Sequence, residues 1–185
     1  MLEDLKKKAS QRMDKSVDTL KQAYTKLRTG RASTGLVEHL KVDYYGSEVP
    51  VSQTASIVVE DARTITLTPW EKNMVGPIEK AIMASDLGVT PNTAGTVIRL
   101  VMPAMTEERR REVVKIVKSE AEQAKIAIRN VRRDAMQEVK EALKKKLISD
   151  DVEKRAEQEI QKLTDQHIAR VDEVAGAKEK ETMSL

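Results

Sequence analysis

Basic residues recur at helical spacing in the second half of the chain, where they could bind phosphate. Arg129, Arg132 and Arg133 stand close together. A guanidinium group grips phosphate through two parallel hydrogen bonds and stacks on bases, which the lysine ammonium does not do. Successive steps of 7, 7, 4 and 3 residues place side chains in one strip of a helix. That strip would consist of Arg111, Lys118, Lys125, Arg129 and Arg132, flanked by Arg133 and Lys140.

Charge pattern alone leaves two interpretations of this strip open. Glu122 interrupts it, so the strip could be a solvated helix face with salt links, where Lys125 lies near Glu122 and Arg129. It could equally contact RNA. The predominance of arginine over residues 129–133 favours RNA. Because the chain has few aromatic residues, we expect contacts to the RNA backbone and shape rather than to base sequence.

A second arginine cluster is predicted where two helical segments meet. Arg28 and Arg31 follow the first segment, and Arg109 and Arg110 begin the second. In an antiparallel bundle the end of one helix lies beside the start of the next, so these arginines should converge. Arg110 and Arg129 would be roughly 30 Å apart along one helix, which suits an extended RNA surface better than a small ligand.

The glycines near the first segment do not predict a nucleotide site. Gly30 and Gly35 have the spacing that opens a phosphate loop. Leu36 and Val37 follow, however, where such a loop needs Lys and then Ser or Thr. We therefore predict no bound nucleotide here.

Other candidates for catalysis or metal binding are equally weak. His39 and His167 lie in different parts of the chain, and the place of His167 on an apolar helical stripe favours a structural role. The Glu60–Asp61 pair favours a turn over paired-carboxylate chemistry. Cysteine is absent. We therefore expect no catalytic residue, no metal site and no cofactor, and we expect that the protein is not an enzyme.

Three segments have the periodicity of long amphipathic helices, at residues 2–28, 106–146 and from Ser149 onward. Thr106 and Ser149 are placed to cap the second and third helices, each of which begins with acidic residues. The short connection between them makes these two helices antiparallel. The predicted apolar stripes are Leu2, Leu5, Ala9, Met13, Val17, Leu20, Tyr24 and Leu27; Val113, Ile116, Val117, Ala124, Ile128, Val131, Ala135, Val139 and Ala142; and Val152, Ala156, Ile160, Leu163, His167, Val171 and Val174.

Residues 31–104 differ, because they contain all five prolines and five of the seven glycines. Leu36–Tyr45, Arg63–Thr68 and Thr96–Met102 have the composition of strands, and Pro77–Ser85 that of a short helix. The predicted fold is therefore α+β: a long three-helix bundle (1–30 and 105–185) with a small β/α/β domain (31–104) inserted between helices one and two. Two short crossings, at Thr29–Gly30 and Pro103–Ala104, would permit hinging.

Charge is distributed unevenly along the 185 residues, although the net charge is only +3. Residues 1–30 and 105–146 are net basic, whereas 31–104 and 147–185 are net acidic. Such polarity would let one side alone face nucleic acid. We find no signal peptide and no run long enough to span a membrane, so we expect a soluble cytoplasmic protein. The bundle can bury its own stripes, so we expect a monomer.

Seven motifs in order resemble the bacterial ribosome recycling factor family from end to end. They are Arg28–Ser33, Tyr44–Gly46, Val59–Ile65, Glu79–Gly88, Thr106–Arg110, Glu120–Lys125 and Arg129–Ala135. The resemblance implies a three-helix bundle with a small β/α/β domain. It also implies binding to the large ribosomal subunit after termination and, with elongation factor G and GTP, splitting of the ribosome and release of mRNA and tRNA. Ribosomal RNA would then contact the bundle through Arg28, Arg31, Arg110, Arg129, Arg132 and Arg133, while the elongation factor would push the small domain.

Two other functions are weighed against this one. A helical scaffold or holding chaperone would bind partner helices and would respond little to salt. An enzyme hidden in residues 31–104 would need a cleft that holds carboxylates with perturbed pKa values.

Overall fold

The computed structural model describes residues 1–184, so Leu185, the last residue of the predicted bundle range, lies outside the described residues. The chain divides into two compact units. The first contains Met1–Tyr24 and Val114–Lys180, and the second contains Thr25–Val113 with residues 181–184. This division places residues 25–30 and 105–113 with the small domain. The sequence instead predicts domain boundaries at 30/31 and 104/105.

The first unit is formed by three helices: α1 (Leu2–Thr25), most of α3 (Glu107–Lys144) and most of α4 (Asp150–Met183). Each buries one stripe of mainly small and aliphatic side chains. The α+β class with a helical bundle, predicted from periodicity, is therefore confirmed. The α3 helix has no break over 38 residues, a length of about 57 Å.

The predicted capping residues begin α3 and α4. The Thr106 hydroxyl accepts a hydrogen bond from the Arg109 amide at 3.1 Å, and the Ser149 hydroxyl accepts one from the Val152 amide at 3.3 Å. These bonds satisfy amides that the first helical turn leaves without a partner. The α1 helix ends three residues before its predicted end.

Polar contacts join the three helices across the bundle. Arg12 on α1 forms an ion pair with Asp134 on α3 at 3.1 Å. Asp14 on α1 accepts a hydrogen bond from Arg170 on α4 at 2.7 Å. The Asp14 carboxylate also lies 2.8 Å from Nε2 of His167 on α4. The Arg170 guanidinium, and after it His167, holds the pKa of Asp14 below its ordinary value.

The buried stripes differ from the predicted ones in detail. On α3, Ile116 is 38% exposed and Ala121 is buried in addition to the expected residues. On α4, Thr164 and Ala175 are buried, whereas Leu163 and Val174 are only half-buried. Where helices pack closely, the position and size of a side chain decide its burial more than its hydrophobicity does. Thr164 is tolerated because its hydroxyl donates to the Ile160 carbonyl at 2.8 Å.

The second unit contains two antiparallel sheets and one α-helix. The hairpin β1 (Lys41–Tyr44) and β2 (Ser47–Pro50) forms one sheet. The other has the order β3-β4-β6-β5, and α2 spans Val75–Ala84. Its strands are β3 (Ala55–Val59), β4 (Thr64–Pro69), β5 (Asn92–Ala94) and β6 (Val97–Val101). The fully buried side chains of this unit include Ile65, Leu67, Ile78, Ile82, Ile98 and Leu100.

Sequence patterns missed half of these strands. The expected strand Leu36–Tyr45 is shorter, because a 3₁₀ turn over Thr34–Leu36, capped by Ser33, precedes β1. Strands β2, β3 and β5 were not expected. The Glu60–Asp61 pair does lie at a turn, between β3 and β4, where Asp61 accepts a hydrogen bond from the Arg63 amide at 2.9 Å.

Gly30 and Gly35 have structural roles that account for their spacing. Gly30 has a φ of +81°, a conformation that side chains disfavour. A Cβ atom at Gly35 would lie 2.7 Å from the Thr25 carbonyl oxygen, a backbone atom that has little freedom to shift.

We therefore expect Gly35→Ala to lower the free energy of unfolding by about 1–3 kcal/mol through overpacking. Gly76→Ala is the matched control, because a Cβ there meets nothing within 4 Å and alanine favours the α2 helix. Urea unfolding measures both changes. A Gly35→Ala protein as stable as the parent would contradict this close approach.

Tyr24 is the one aromatic residue of the first unit, and it is buried. Its hydroxyl donates to the Val117 carbonyl on α3 at 2.6 Å. Burial, followed by the charges of Glu120 and Glu179, raises the pKa of Tyr24 to about 12.

An unfolded tyrosine loses its proton near pH 10, before the folded one does. We therefore expect stability to fall as pH rises from about 10 to about 12, because only the unfolded state has released the proton in that window. Tyr24→Phe should abolish this tyrosine's share of the fall and cost about 1 kcal/mol at neutral pH. Unfolding followed across that pH range tests both, and an unchanged alkaline profile in the variant would refute the assignment.

Candidate nucleic-acid interface

Burial of one face of α3 leaves the opposite face of that helix exposed in the first unit. Lys118 of the predicted strip and the two cations that flank it, Arg133 and Lys140, lie on this surface and are exposed. None of them forms an ion pair within residues 1–184. Their charges are therefore available to an anionic partner.

All three arginines of the strip have partners inside the protein. Arg111 forms an exposed ion pair with Glu107 at 2.9 Å. Arg129 lies 3.5 Å from Glu122, and both side chains stay substantially exposed. Arg132 donates to the Gln161 side chain on α4 at 3.2 Å. An exposed ion pair such as that of Arg129 with Glu122 contributes little stability, typically about 0.2–1 kcal/mol, so a phosphate can compete for this guanidinium.

Lys125 differs from its predicted arrangement. It pairs with Asp172 on α4 at 2.5 Å, and its side chain is largely covered. In the solvated-face interpretation Lys125 was placed near Glu122, but the packing of α3 on α4 supplies a carboxylate from a distant part of the chain instead, and Glu122 pairs with Arg129. Lys125 holds two helices together and does not extend the exposed strip.

The second unit brings together three of the four arginines that were expected to converge. Arg28, Arg31 and Arg109 line one cavity of about 290 Å³, with Leu87 and Met102 among its apolar walls. Arg28 donates to the Leu87 carbonyl at 2.9 Å.

Arg110 is not among the residues that line this cavity. Its Nε atom is buried and has no hydrogen-bond partner in the described part of the chain. Arg109 itself pairs with Glu112 at 3.2 Å, so of the cavity's cations Arg31 is the most exposed.

The four residues predicted as a hinge all lie within the second unit. Thr29 is buried and Gly30 has its positive φ, whereas Pro103 and Ala104 are exposed. Their role as a hinge stays a prediction.

A groove on the first unit was missed by sequence reasoning. Between α1 and α3 lies an open depression of about 580 Å³, with Ala124 and Ala127 among its lining residues. Arg12, Lys15, Gln123 and Asn130 contribute its polar groups. The small residues of α3 that line the groove are visible in the sequence. The polar lining of the groove could not be predicted, because it depends on how α1 packs against α3.

The environment of His167 is that of a structural residue. His167 is buried, its Nδ1 donates to the Leu163 carbonyl at 2.6 Å, and its Nε2 faces Asp14, as suits a structural histidine. Among the described residues, no group of three His, Cys, Asp or Glu side chains is placed to hold a metal ion. Within the same residues, no helix is long and apolar enough to cross a membrane.

Comparison with known proteins shows a match to one family over most of the chain. The family model described as "Ribosome recycling factor" matches residues 20–183. A ribosome-recycling factor of Thioalkalivibrio sulfidiphilus is 58% identical over 185 residues, the whole of both chains. One from Nitrosococcus oceani is 54% identical over 100% of this chain and 99% of its own.

Solved structures of the same kind also match. A solution structure of the ribosome recycling factor has a TM-score of 0.79 and 44% identity, covering 100% of this chain and 98% of its own. A second has a TM-score of 0.71 and 43% identity, with 99% of each chain covered. It belongs to models of the T. thermophilus ribosome recycling factor and the E. coli elongation factor G bound to the E. coli post-termination complex.

The contacts of adjacent arginines lead to different expectations for stability. We expect Arg132→Ala to lower the free energy of unfolding by about 0.5–1.5 kcal/mol, because the variant loses the bond to Gln161. Arg133→Ala should stay within about 0.5 kcal/mol of the parent, because its side chain is exposed. Equal losses in urea unfolding would contradict the different environments of the two arginines.

Proposed function

The chain belongs to the ribosome recycling factor family, and from that membership we propose the details of its role in ribosome recycling. It binds the large ribosomal subunit after termination. With elongation factor G and GTP, it then splits the post-termination ribosome and releases mRNA and tRNA. A relative with 43% identity is placed together with elongation factor G on a post-termination complex, which supports this proposal.

The observation that carries the proposal is the unbroken α3 helix with its exposed cations. A helix of about 57 Å can touch RNA at several separated points. Lys118, Arg133 and Lys140 leave positive charge on its surface that no internal partner neutralises among the described residues. We assign RNA contacts to Arg28, Arg31, Arg110, Arg129, Arg132 and Arg133.

Recognition by this surface depends on phosphate position more than on base identity. The strip is basic, and the exposed large apolar residues of α3, Ile116 and Ile126, are not aromatic, so this surface offers no ring for base stacking. Arginine and lysine contacts to phosphate release counterions, so binding weakens steeply as salt rises.

The protein itself supplies no energy in this mechanism and acts as a lever. The GTPase provides the motion and moves the small domain, while the bundle stays on ribosomal RNA. A stiff helix transmits force, and the chain crossings near Gly30 and Pro103 let the small domain reorient.

Subunit splitting tests the proposed activity directly. Post-termination ribosomes are mixed with elongation factor G, GTP and this protein, and light scattering follows dissociation. We expect splitting only when all three are present. Splitting that proceeds equally without this protein would reject the proposal.

Substitution of one exposed arginine tests the proposed RNA surface. We expect Arg133→Ala to weaken binding to purified large subunits and to reduce the slope of log affinity against log salt by about 0.7–0.9, the share of one phosphate contact. Arg155→Ala is the matched control, because Arg155 is also an exposed arginine but lies on the acidic α4 helix.

Sedimentation with large subunits at several salt concentrations measures both variants. Arg155→Ala should bind as the parent does. Full binding by Arg133→Ala, or an equal loss of binding in both variants, would contradict the proposal that α3 contacts RNA.

A further inference from the structure

An aromatic corner of the second unit has no role in the RNA-binding proposal. The chain has only four aromatic residues, and Tyr44, Tyr45 and Trp70 lie in this small domain. Tyr45 and Trp70 are 69% and 67% exposed. Large aromatic side chains on a surface are typical of binding sites, because they bury much area at little entropic cost.

The two tyrosines are held in a fixed arrangement despite their exposure. Their ring centroids are 4.6 Å apart with an interplanar angle of 79°, an edge-to-face pair. The hydroxyl of Tyr44 donates to one carboxylate oxygen of Glu71 at 3.3 Å, and that of Tyr45 donates to the other at 3.4 Å. The Asn73 amide donates to the Tyr45 hydroxyl at 2.8 Å. This corner is therefore organised before any partner arrives.

Tyr45 occupies a backbone conformation that tyrosine disfavours. Its φ is 49°, and it precedes Gly46 in the tight turn between β1 and β2. Asparagine is among the preferred residues at such a turn position, so tyrosine there costs stability that its ring does not regain by burial. Strain at an exposed side chain points to a function for that side chain.

The charge of this corner is negative and unpaired. Glu71 is exposed and forms no ion pair within residues 1–184, since its two neighbours are neutral hydroxyls. Together with burial, its charge raises the pKa of Tyr44. A carboxylate beside aromatic rings repels phosphate but attracts a cation, which gains both an ion pair and contact with the ring faces.

We propose that Tyr44, Tyr45 and Glu71 form a docking site for an arginine or lysine side chain that projects from a protein partner. The cation lies against the tyrosine rings and pairs with the Glu71 carboxylate. This surface lies in the second unit and shares no residue with the proposed RNA-binding set. The proposal is argued from these contacts alone and does not depend on ribosome binding.

A peptide titration tests this site without any ribosome. The probe is acetyl-Gly-Arg-Gly-amide, and its neutral counterpart carries citrulline in place of arginine. Proton–nitrogen NMR spectra of the full chain should show shifts at Tyr44, Tyr45 and the Asn73 side-chain amide with the arginine peptide only. Trp70, the only tryptophan, adds a fluorescence signal from the residue next to Glu71.

Two variants identify the groups responsible, and a third is their control. Glu71→Gln removes the charge at nearly constant size, and Tyr45→Asn removes the ring while suiting the turn. Each should weaken binding of the arginine peptide by at least about threefold. Glu48→Gln removes an exposed carboxylate from the same hairpin and should bind like the parent.

Several outcomes would overturn the proposal. One is an equal response to the citrulline peptide, and another is an equal loss in Glu48→Gln. NMR shifts confined to the acidic α4 helix would also overturn it. So would shifts of Tyr44 and Tyr45 on addition of an oligouridylate instead of the arginine peptide.

Discussion

The apolar stripe of α3 is buried along the bundle, and the direction of every side chain on that helix follows from it. Val117, Ile128 and Val139 face the other two helices. Since a helix turns by a fixed angle per residue, the residues on the far side must face solvent. Polar side chains there cost nothing to expose, and the bundle can carry uncompensated positive charge without losing core contacts.

Internal contacts then decide which cations remain available. Lys125 is drawn to Asp172 and Arg132 to Gln161, so both help to hold α3 against α4. Arg133 and Lys140 have no such partner in the part of the chain described here and remain exposed. Lys125 is thus committed to the bundle, whereas Arg132 has to give up its bond to Gln161 in order to meet RNA. Arg133 and Lys140 can meet RNA without losing an internal contact.

Periodicity predicted the long helices well, because each stripe repeats over many turns and each helix begins with an acidic first turn. The end of α1, which has no basic residue in its last turn, was placed three residues too late. It could not predict strands of three to five residues such as β3 and β5, where few positions carry the pattern. The partner of Lys125 was likewise beyond reach, because it depends on how two helices pack. The sequence shows which positions carry arginine. It does not show that Arg110 is absent from the lining of the cavity formed by Arg28 and Arg109, because that depends on how the chain packs.

Lysine footprinting on the large ribosomal subunit tests most directly whether the outer face of α3 lies on RNA. Acetylation of Lys118 and Lys140 on α3 is compared with that of Lys154 and Lys162 on α4, all exposed in the free protein. Our account expects the two α3 lysines to lose reactivity severalfold on the subunit while the two α4 lysines keep theirs. Protection of the α4 lysines with Lys118 and Lys140 still reactive would contradict it.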